Sequence, residues 1–186
     1  AEEIRTVDYS TWTAHDALDR VVADNAKAGA PKENRYVGLF YFLNRGGEDT
    51  EEIQDNTFIY LDQGLEGLNE HLTTPGESGA YYWAEPYFGY YSSNDEWVLR
   101  KHAYMLAEAG EDFVFFDTTN NNLHTVSHMA LLKVWEEVRR EGYQVPKICF
   151  MVGSYEAEFA ELYNTVYKTG MYEDLWYYWE GKPLVL

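Results

Sequence analysis

The sequence predicts an α/β fold built as a (β/α) barrel, with only the first five or so strands of a TIM-type barrel in this chain. Apolar runs recur that are continuous rather than alternating, which is typical of parallel strands buried on both faces. Amphipathic helical patterns separate these runs. The later runs begin at 112, 147 and 183, a spacing of ~35 residues that one strand, one helix and two short loops fill. The same rhythm also fits an open doubly wound sheet.

The predicted elements begin with a helix over 12–28. Strands are then expected at 35–43 (RYVGLFYFL), 80–86 (AYYWAEP), 112–117 (DFVFFD), 147–152 (KICFMV) and 183–186 (PLVL). The run at 80–86 has the weakest strand pattern, because Pro86 closes it and proline cannot donate to a sheet.

Three helices are predicted between the later strands. The first begins at a capping box of Ser93 and Glu96 and ends at Gly110, the second spans about 125–141, and the third runs from near Ser154 to Gly170. The residues expected to face the sheet are Val98, His102, Met105, Leu106 and Ala109 in the first helix, Leu131, Leu132, Trp135 and Val138 in the second, and Phe159, Leu162, Tyr163, Val166 and Tyr167 in the third.

The 186 residues are enough for one domain with a core, and we treat 1–186 as a single (β/α)-barrel domain. A complete barrel has eight strands and typically ~250 residues, so we expect this domain to be incomplete at its C-terminus. The segment 44–79 interrupts the repeat with polar stretches such as GGEDTEE and TTPGESG. It is typical of a long decorated βα connection, where binding loops occur.

The composition narrows the classes of partner. The net charge of −18 repels phosphate backbones and anionic lipid, so we expect neither nucleic acid nor a membrane surface as a partner. No stretch approaches the ~20 apolar residues of a membrane span. Aromatic residues make up 17% of the chain, and tyrosine and tryptophan suit surfaces that bind sugars or proteins. The single cysteine, Cys149, lies in an apolar run and is expected to be an inert core thiol.

Several motifs resemble one family of proteins. They are HDALDR…GAPKENRYVGLFYFL, WAEPYFGYYSSNDEWVLRKHAYMLAEAG, DFVFFDTTN and YKTGMYEDLWYYWEGKPLVL. Together they are similar to a secreted bacterial group related to glycoside hydrolase families 71 and 99, which is built on a (β/α)8 barrel. The resemblance implies a carbohydrate partner and an extracellular or periplasmic protein whose leader has been removed. The chain departs from the group at Asn44, where tryptophan is usual, and at Ala84, where glycine is usual. No motif aligns with the catalytic carboxylates of the endo-acting mannosidases, so none of these is carried over.

In a barrel, side chains at the carboxyl ends of the strands face the active site. This rule selects Glu85 and Asp117, which we expect to flank a glycosidic bond, one as acid and the other as base or nucleophile. The residues expected to bind the sugar are Trp83, Tyr87, Tyr90, Tyr91, Asn120 and Ser154. Structural roles stand beside these: the rings can be core residues, Asp117 an N-cap, and Asn120 a loop former.

We expect neither a metal nor a cofactor. His124 and His128 are four residues apart, a spacing that can hold a metal, but the glutamate that a zinc hydrolase places between them is absent. The glycines at 46 and 47 precede acidic residues rather than a lysine, and no serine lies in a nucleophile elbow.

Two functions follow from these observations. The first is a glycoside hydrolase-like protein that binds or cleaves a polysaccharide or glycan with paired carboxylates and an aromatic platform. The alternative is a non-catalytic sugar-binding or structural, self-assembling protein on the same scaffold. It is favoured by the strand at 183–186, which a five-strand arc leaves as an edge. We expect that strand to be covered by further chain or by a neighbouring subunit.

Overall fold

The computed structural model describes residues 12–30, 32–44, 54–73, 81–82 and 85–186. In chain order the helices are α1 (Asn25–Ala28), α2 (Asn56–Thr73), α3 (Glu96–Ala109), α4 (Thr125–Arg140) and α5 (Glu156–Leu162). The strands are β1 (Gly38–Tyr41), β2 (Gln54–Asp55), β3 (Tyr81–Tyr82), β4 (Phe113–Thr118), β5 (Lys147–Val152), β6 (Tyr178–Trp179) and β7 (Lys182–Pro183).

The centre of the described chain is a parallel three-stranded sheet in the order β1-β4-β5. Leu39 pairs with Val114, which in turn pairs with Ile148. The parallel arrangement predicted for these three apolar runs is confirmed, and the fold is mixed α/β. Closure of this sheet into part of a barrel stays a prediction.

The run at 80–86 does not join this sheet within the described residues. Its described part, β3, pairs in parallel with β2, and β1 pairs directly with β4. The prediction of a second sheet strand between these two was wrong in that respect. The apolar pattern could indicate extended backbone at this point but not the partner, which is set by contacts with the distant residues 54–55.

A hairpin at 178–183 precedes the last predicted strand and shares Pro183 with it. Trp176 and Val185 each bridge β5 in parallel, at Ile148 and Phe150 respectively. Between these two bridges, β6 and β7 pair antiparallel around Glu180 and Gly181. Both turn residues have positive φ, 50° and 79°, as a two-residue hairpin turn requires. The 183–186 run therefore lies beside β5 as predicted, but as a short bridge rather than a continuous strand.

The predicted helix at 12–28 is wrong, since only Asn25–Ala28 is helical. The Asp16 carboxylate accepts hydrogen bonds from the backbone N–H groups of Leu18 and Arg20, at 2.8 and 3.0 Å. Asp19 lies in the left-handed region with φ 57°. Local bonds between a side chain and the backbone compete with the helix here and favour a turn.

Helix α3 begins at a different cap from the one predicted. Asp95, not Ser93, is the N-cap, and its Oδ1 accepts from the N–H groups of Trp97 and Val98. Glu96 is then the first helical residue, two positions before the one that a capping box uses, and its carboxylate pairs with Lys133.

The buried stripe of α3 is also shifted from the predicted one. It consists of Val98, Leu99, Ala103 and Ala107, whereas Met105 is 54% exposed. The predicted stop is confirmed, since Gly110 takes the left-handed conformation with φ 77°.

Helix α4 matches its prediction. Leu131, Leu132, Trp135 and Val138 are fully buried and form the centre of the core. The prediction for the next helix is only partly correct, because Leu162 and Val166 are buried whereas Phe159 and Tyr163 are about half exposed and stack on each other. The helical path there continues from α5 as a π-helix at Tyr163–Tyr167.

The two faces of the sheet have different surroundings. Val114, Phe116 and Phe150 point into the core between the sheet and the helices. On the other face Phe40 stacks on Phe115 at 5.0 Å, and Phe113 lies over Gly38, where any Cβ would meet its ring. Strand pairing and alternation place Asp117 on this second, half-buried face.

The connection at 44–79 contains β2 and α2 in its described part. Gly64 breaks α2 into two pieces, with φ 68° and ψ −170°. None of the helices in the described ranges combines the length and the apolar character that a membrane crossing would need.

Candidate functional site

A cavity of about 230 Å³ lies at the carboxyl end of β1. Its lining residues come from that strand end, from the loop before α3 and from the first turns of α3: Phe40, Tyr41, Phe42, Tyr91, Ser92, Ser93, Val98, Leu99 and His102. In parallel α/β sheets, ligands bind outside the carboxyl ends of the strands. We call this feature the Tyr41–His102 cavity.

The centre of the cavity wall is a bonded pair of side chains. The hydroxyl of Tyr41 and Nδ1 of His102 share a hydrogen bond of 2.7 Å. Burial raises the pKa of Tyr41 far above its usual value, and the nearby Tyr91 adds to the effect. Burial lowers the pKa of His102. At neutral pH both groups are therefore uncharged, and the bond joins a phenol to a neutral imidazole.

Aromatic rings surround the imidazole. The ring of Tyr41 meets that of His102 edge-on at 5.8 Å, and Tyr91 does so at 5.9 Å. Phe88 lies 6.2 Å from His102 and packs edge-on against Trp97. These contacts fix the histidine between β1 and the loop at 85–95, so that Nε2 is the ring atom with which it can contact a ligand.

Helix α3 holds this wall in place through α4. The indole Nε1 of Trp135 donates to the backbone oxygen of Leu99 at 3.1 Å. Arg100 forms ion pairs with Glu137 and Glu141, the latter at 2.9 Å. The cavity is therefore built on two packed helices and a strand end rather than on a loop alone.

The predicted residues at 85–91 take different positions. Tyr91 lines the cavity, whereas Tyr90 is half-buried and its hydroxyl donates to Asp55 Oδ2 at 2.5 Å. That bond raises the pKa of Tyr90 to about 12 and lowers the pKa of Asp55. Glu85 is exposed and close to Tyr90 and Gly89. Tyr87 is 97% exposed, so it contributes no enclosed surface.

Asp117 is the next predicted carboxylate. Its Oδ1 accepts hydrogen bonds from the N–H and the hydroxyl of Thr119, at 3.1 and 2.7 Å. Because Tyr41 pairs with Phe116, Asp117 lies near the carboxyl end of its strand, at the same end of the sheet as the cavity, but its side chain is on the face opposite to Tyr41 and Phe116. The carboxylate stabilises the turn after β4, and its pairing with Glu85 stays a prediction.

Two of the remaining predicted binding residues lie in loops, and the third lies outside the described part of the chain. Asn120 is exposed in the turn after β4, and Ser154 is exposed in the bend after β5. Trp83 lies outside the described residues.

The two histidines at 124 and 128 have different surroundings. His128 is buried and its Nδ1 bonds the backbone oxygen of Leu123 at 2.8 Å, while His124 precedes α4 in the left-handed conformation. Among the described ranges no group of three or more histidine, cysteine, aspartate or glutamate side chains could hold a metal.

The sequence analysis missed Tyr41 and His102. His102 was predicted to lie in the apolar stripe of a helix. A titratable ring among apolar residues was the feature of the sequence that could have indicated a functional role. Tyr41 lies 61 residues earlier in the chain, so the bonded pair depends on tertiary packing that the sequence pattern does not contain.

A second, more open depression of about 540 Å³ lies beside the amino end of β5. Its lining includes Lys147, Glu173, Asp174 and Tyr178. In parallel α/β folds the amino ends of strands serve stability rather than chemistry. We therefore take the Tyr41–His102 cavity as the candidate site.

Comparison with known proteins gives one partial structural similarity. No family model and no curated protein matches the chain. Among solved structures, the GH99 endo-alpha-mannosidase from Bacteroides thetaiotaomicron, in complex with BIS-TRIS propane, aligns with a TM-score of 0.47 and 22% identity. The alignment covers 81% of this chain and 41% of that chain. A similarity of this size leaves the family and the function of the chain to be argued from its own residues.

Proposed function

We propose that the protein binds a carbohydrate in the Tyr41–His102 cavity, as a glycoside hydrolase-like protein acting outside the cytoplasm. The observation that carries this proposal is the lining of the cavity, which combines aromatic rings with hydroxyl groups at the carboxyl end of a parallel sheet. Sugar rings present apolar C–H faces that pack on aromatic rings, and hydroxyl groups that hydrogen-bond to side chains. Tyr91 supplies such a ring, and Ser92 and Ser93 supply hydroxyls.

Cleavage of a glycosidic bond is the finer part of the proposal. It requires two carboxylates, and Glu85 and Asp117 are the candidate pair. Glu85 is exposed at the start of the loop that carries Tyr91, and Asp117 lies at the same end of the sheet as the cavity, on the face opposite to Tyr41. One of them protonates the leaving oxygen, and the other attacks the anomeric carbon or activates a water.

Binding without cleavage is the second candidate function. One observation favours it: within the described ranges, no carboxylate is among the residues that line the cavity. Asp117 also has a local role, since it accepts two hydrogen bonds from Thr119. A sugar-binding protein needs only the rings and hydroxyls.

One experiment tests both candidates. Binding of the intact chain to a panel of soluble polysaccharides is measured by calorimetry, and release of reducing ends is measured on each polysaccharide bound. We expect Tyr91→Ala to abolish binding, and the matched surface variant Tyr163→Ala, at a half-exposed ring on the π-helix, to retain it. If the protein is an enzyme, Glu85→Gln and Asp117→Asn each lower turnover strongly while binding persists, because the proton-transfer group is lost and the shape is kept.

The outcomes separate the candidates. Binding without release of reducing ends leaves the non-catalytic function. Unchanged turnover in both carboxylate variants places the chemistry at other residues. Absence of binding to every polysaccharide contradicts the proposed function.

A further inference from the structure

Among the residues that the structure describes, the lining of the Tyr41–His102 cavity includes no aspartate, glutamate, lysine or arginine. These four residue types make up 25% of the chain, so a surface of nine average residues would hold about two of them. The described lining thus has fewer charged side chains than the chain as a whole.

The titratable groups of the cavity are also uncharged at neutral pH. Three such groups face one another: Tyr41 from β1, Tyr91 from the loop before α3, and His102 from α3. Burial raises the pKa of both tyrosines and lowers the pKa of the histidine. Each shift moves the group further towards its neutral form, since burial disfavours the charged form of any side chain.

We propose that the Tyr41–His102 cavity selects a single uncharged sugar unit and rejects sugars that carry a carboxylate or a sulfate. This inference rests on the proposed function, because it specifies the ligand class of the same site. The volume of about 230 Å³ lies below the ~300–1,000 Å³ typical of sites for drug-sized ligands, so it suits one ring rather than a chain segment.

The physical reason for this selectivity is desolvation. A sugar carboxylate that enters the cavity loses its water, and none of the lining side chains in the described part of the chain offers a cation in return. The net charge of −18 adds a longer-range repulsion. A neutral ring loses only hydroxyl–water bonds, which the Tyr91 hydroxyl and Nε2 of His102 can replace.

The test uses matched ligand pairs and the intact chain. Methyl glycosides of neutral hexoses and the methyl glycosides of the corresponding uronic acids, which differ by a carboxylate at C6, are titrated by calorimetry at pH 7.5 and ~0.15 M NaCl. We expect one site per chain and a preference of at least about tenfold for the neutral member, a difference of about 1.4 kcal/mol.

Phe42 lies at the rim and is 56% exposed, so Phe42→Arg places a cation beside the cavity. This variant should shift the preference towards the uronic acid, whereas Tyr163→Arg should not. Circular dichroism checks that each variant is folded.

The possible results distinguish a failure of this inference from a failure of the proposed function. Uronic acids that bind the unaltered protein as tightly as the neutral hexosides overturn the inference and leave the proposed function standing. A neutral preference that persists unchanged in Tyr91→Ala places the selectivity outside the cavity and also overturns it. If no glycoside of either kind binds, the inference is wrong, and the proposed function is wrong as well if every polysaccharide of the panel also fails to bind.

Discussion

At the scale of single residues, His102 is the cavity group whose protonation the fold opposes. An unfolded histidine takes up its proton near pH 6.5, and burial lowers the pKa in the folded state below that value. Between these two pH values the unfolded chain binds more protons, so the stability contributed by the neutral histidine falls as the pH decreases. Tyr41 and Tyr91 face the imidazole and stay neutral over this range.

We therefore expect acidification from pH 7.5 to 5.5 to destabilise the protein more than it destabilises His102→Asn. Asparagine keeps a polar group near the Tyr41 hydroxyl and has no proton to gain. Urea unfolding of both proteins at the two pH values measures the difference. The control is His15→Asn at an exposed position, which should respond to pH like the unaltered protein. An identical pH response of His102→Asn and the unaltered protein would contradict this prediction.

At the scale of elements, the N-terminus of α3 determines how the cavity is assembled, because Val98, Leu99 and His102 all lie in its first turns. The carboxylate of Asp95 satisfies two backbone N–H groups that would otherwise lack partners, and its negative charge suits the helix dipole. We expect Asp95→Ala to lower the free energy of unfolding by about 0.5–2 kcal/mol. Asp95→Asn should lose much less, because asparagine caps about as well as aspartate. Chemical denaturation of the three proteins provides the measurement, and equal losses in the two variants would exclude a capping role.

Some of these elements could be predicted from the sequence alone. Continuous apolar runs identified β1, β4 and β5 and their parallel direction, because two-sided burial leaves a pattern within each run. The end of α3 at Gly110 could also be predicted, because a helix end of this kind depends on a single glycine. The N-cap was misplaced by two positions, because Ser93 and Asp95 are both good caps and only the path of the backbone chooses between them.

Elements that depend on contacts between distant parts of the chain were harder to predict from the sequence. The partner of β3 and the hairpin at 178–183 are examples, and Glu180-Gly181 is not one of the dipeptides that typically indicate a hairpin turn. The candidate site follows the same rule. Tyr91 was predicted from its aromatic surroundings, whereas the pairing of Tyr41 with His102 requires the packed structure.

At the scale of the whole molecule, the charge balance is the dominant feature. The chain has 32 acidic and 14 basic side chains, so most carboxylates have no cationic partner available. Exposed ion pairs such as Lys133–Glu96 contribute about 0–1 kcal/mol each and weaken in salt. Mutual repulsion among the excess carboxylates acts in the opposite direction, because compaction brings like charges together. With this excess of acids we expect repulsion to outweigh the ion pairs.

Salt should therefore stabilise the protein. The Debye length falls from about 10 Å at 0.1 M to about 3 Å at 1 M ionic strength, which screens the repulsion between surface carboxylates. We expect the midpoint of thermal unfolding to rise as NaCl is increased over this range. The matched variant carries Asp62→Asn, Glu108→Gln and Glu161→Gln, three exposed acids replaced by their amides. It should unfold at a higher temperature than the unaltered protein at low salt and respond less to added NaCl, because three of the repelling charges are gone. KCl should act like NaCl, since the effect depends on ionic strength. A melting temperature that falls as NaCl is added would show that the ion pairs outweigh the repulsion, and the whole-molecule argument would then be wrong.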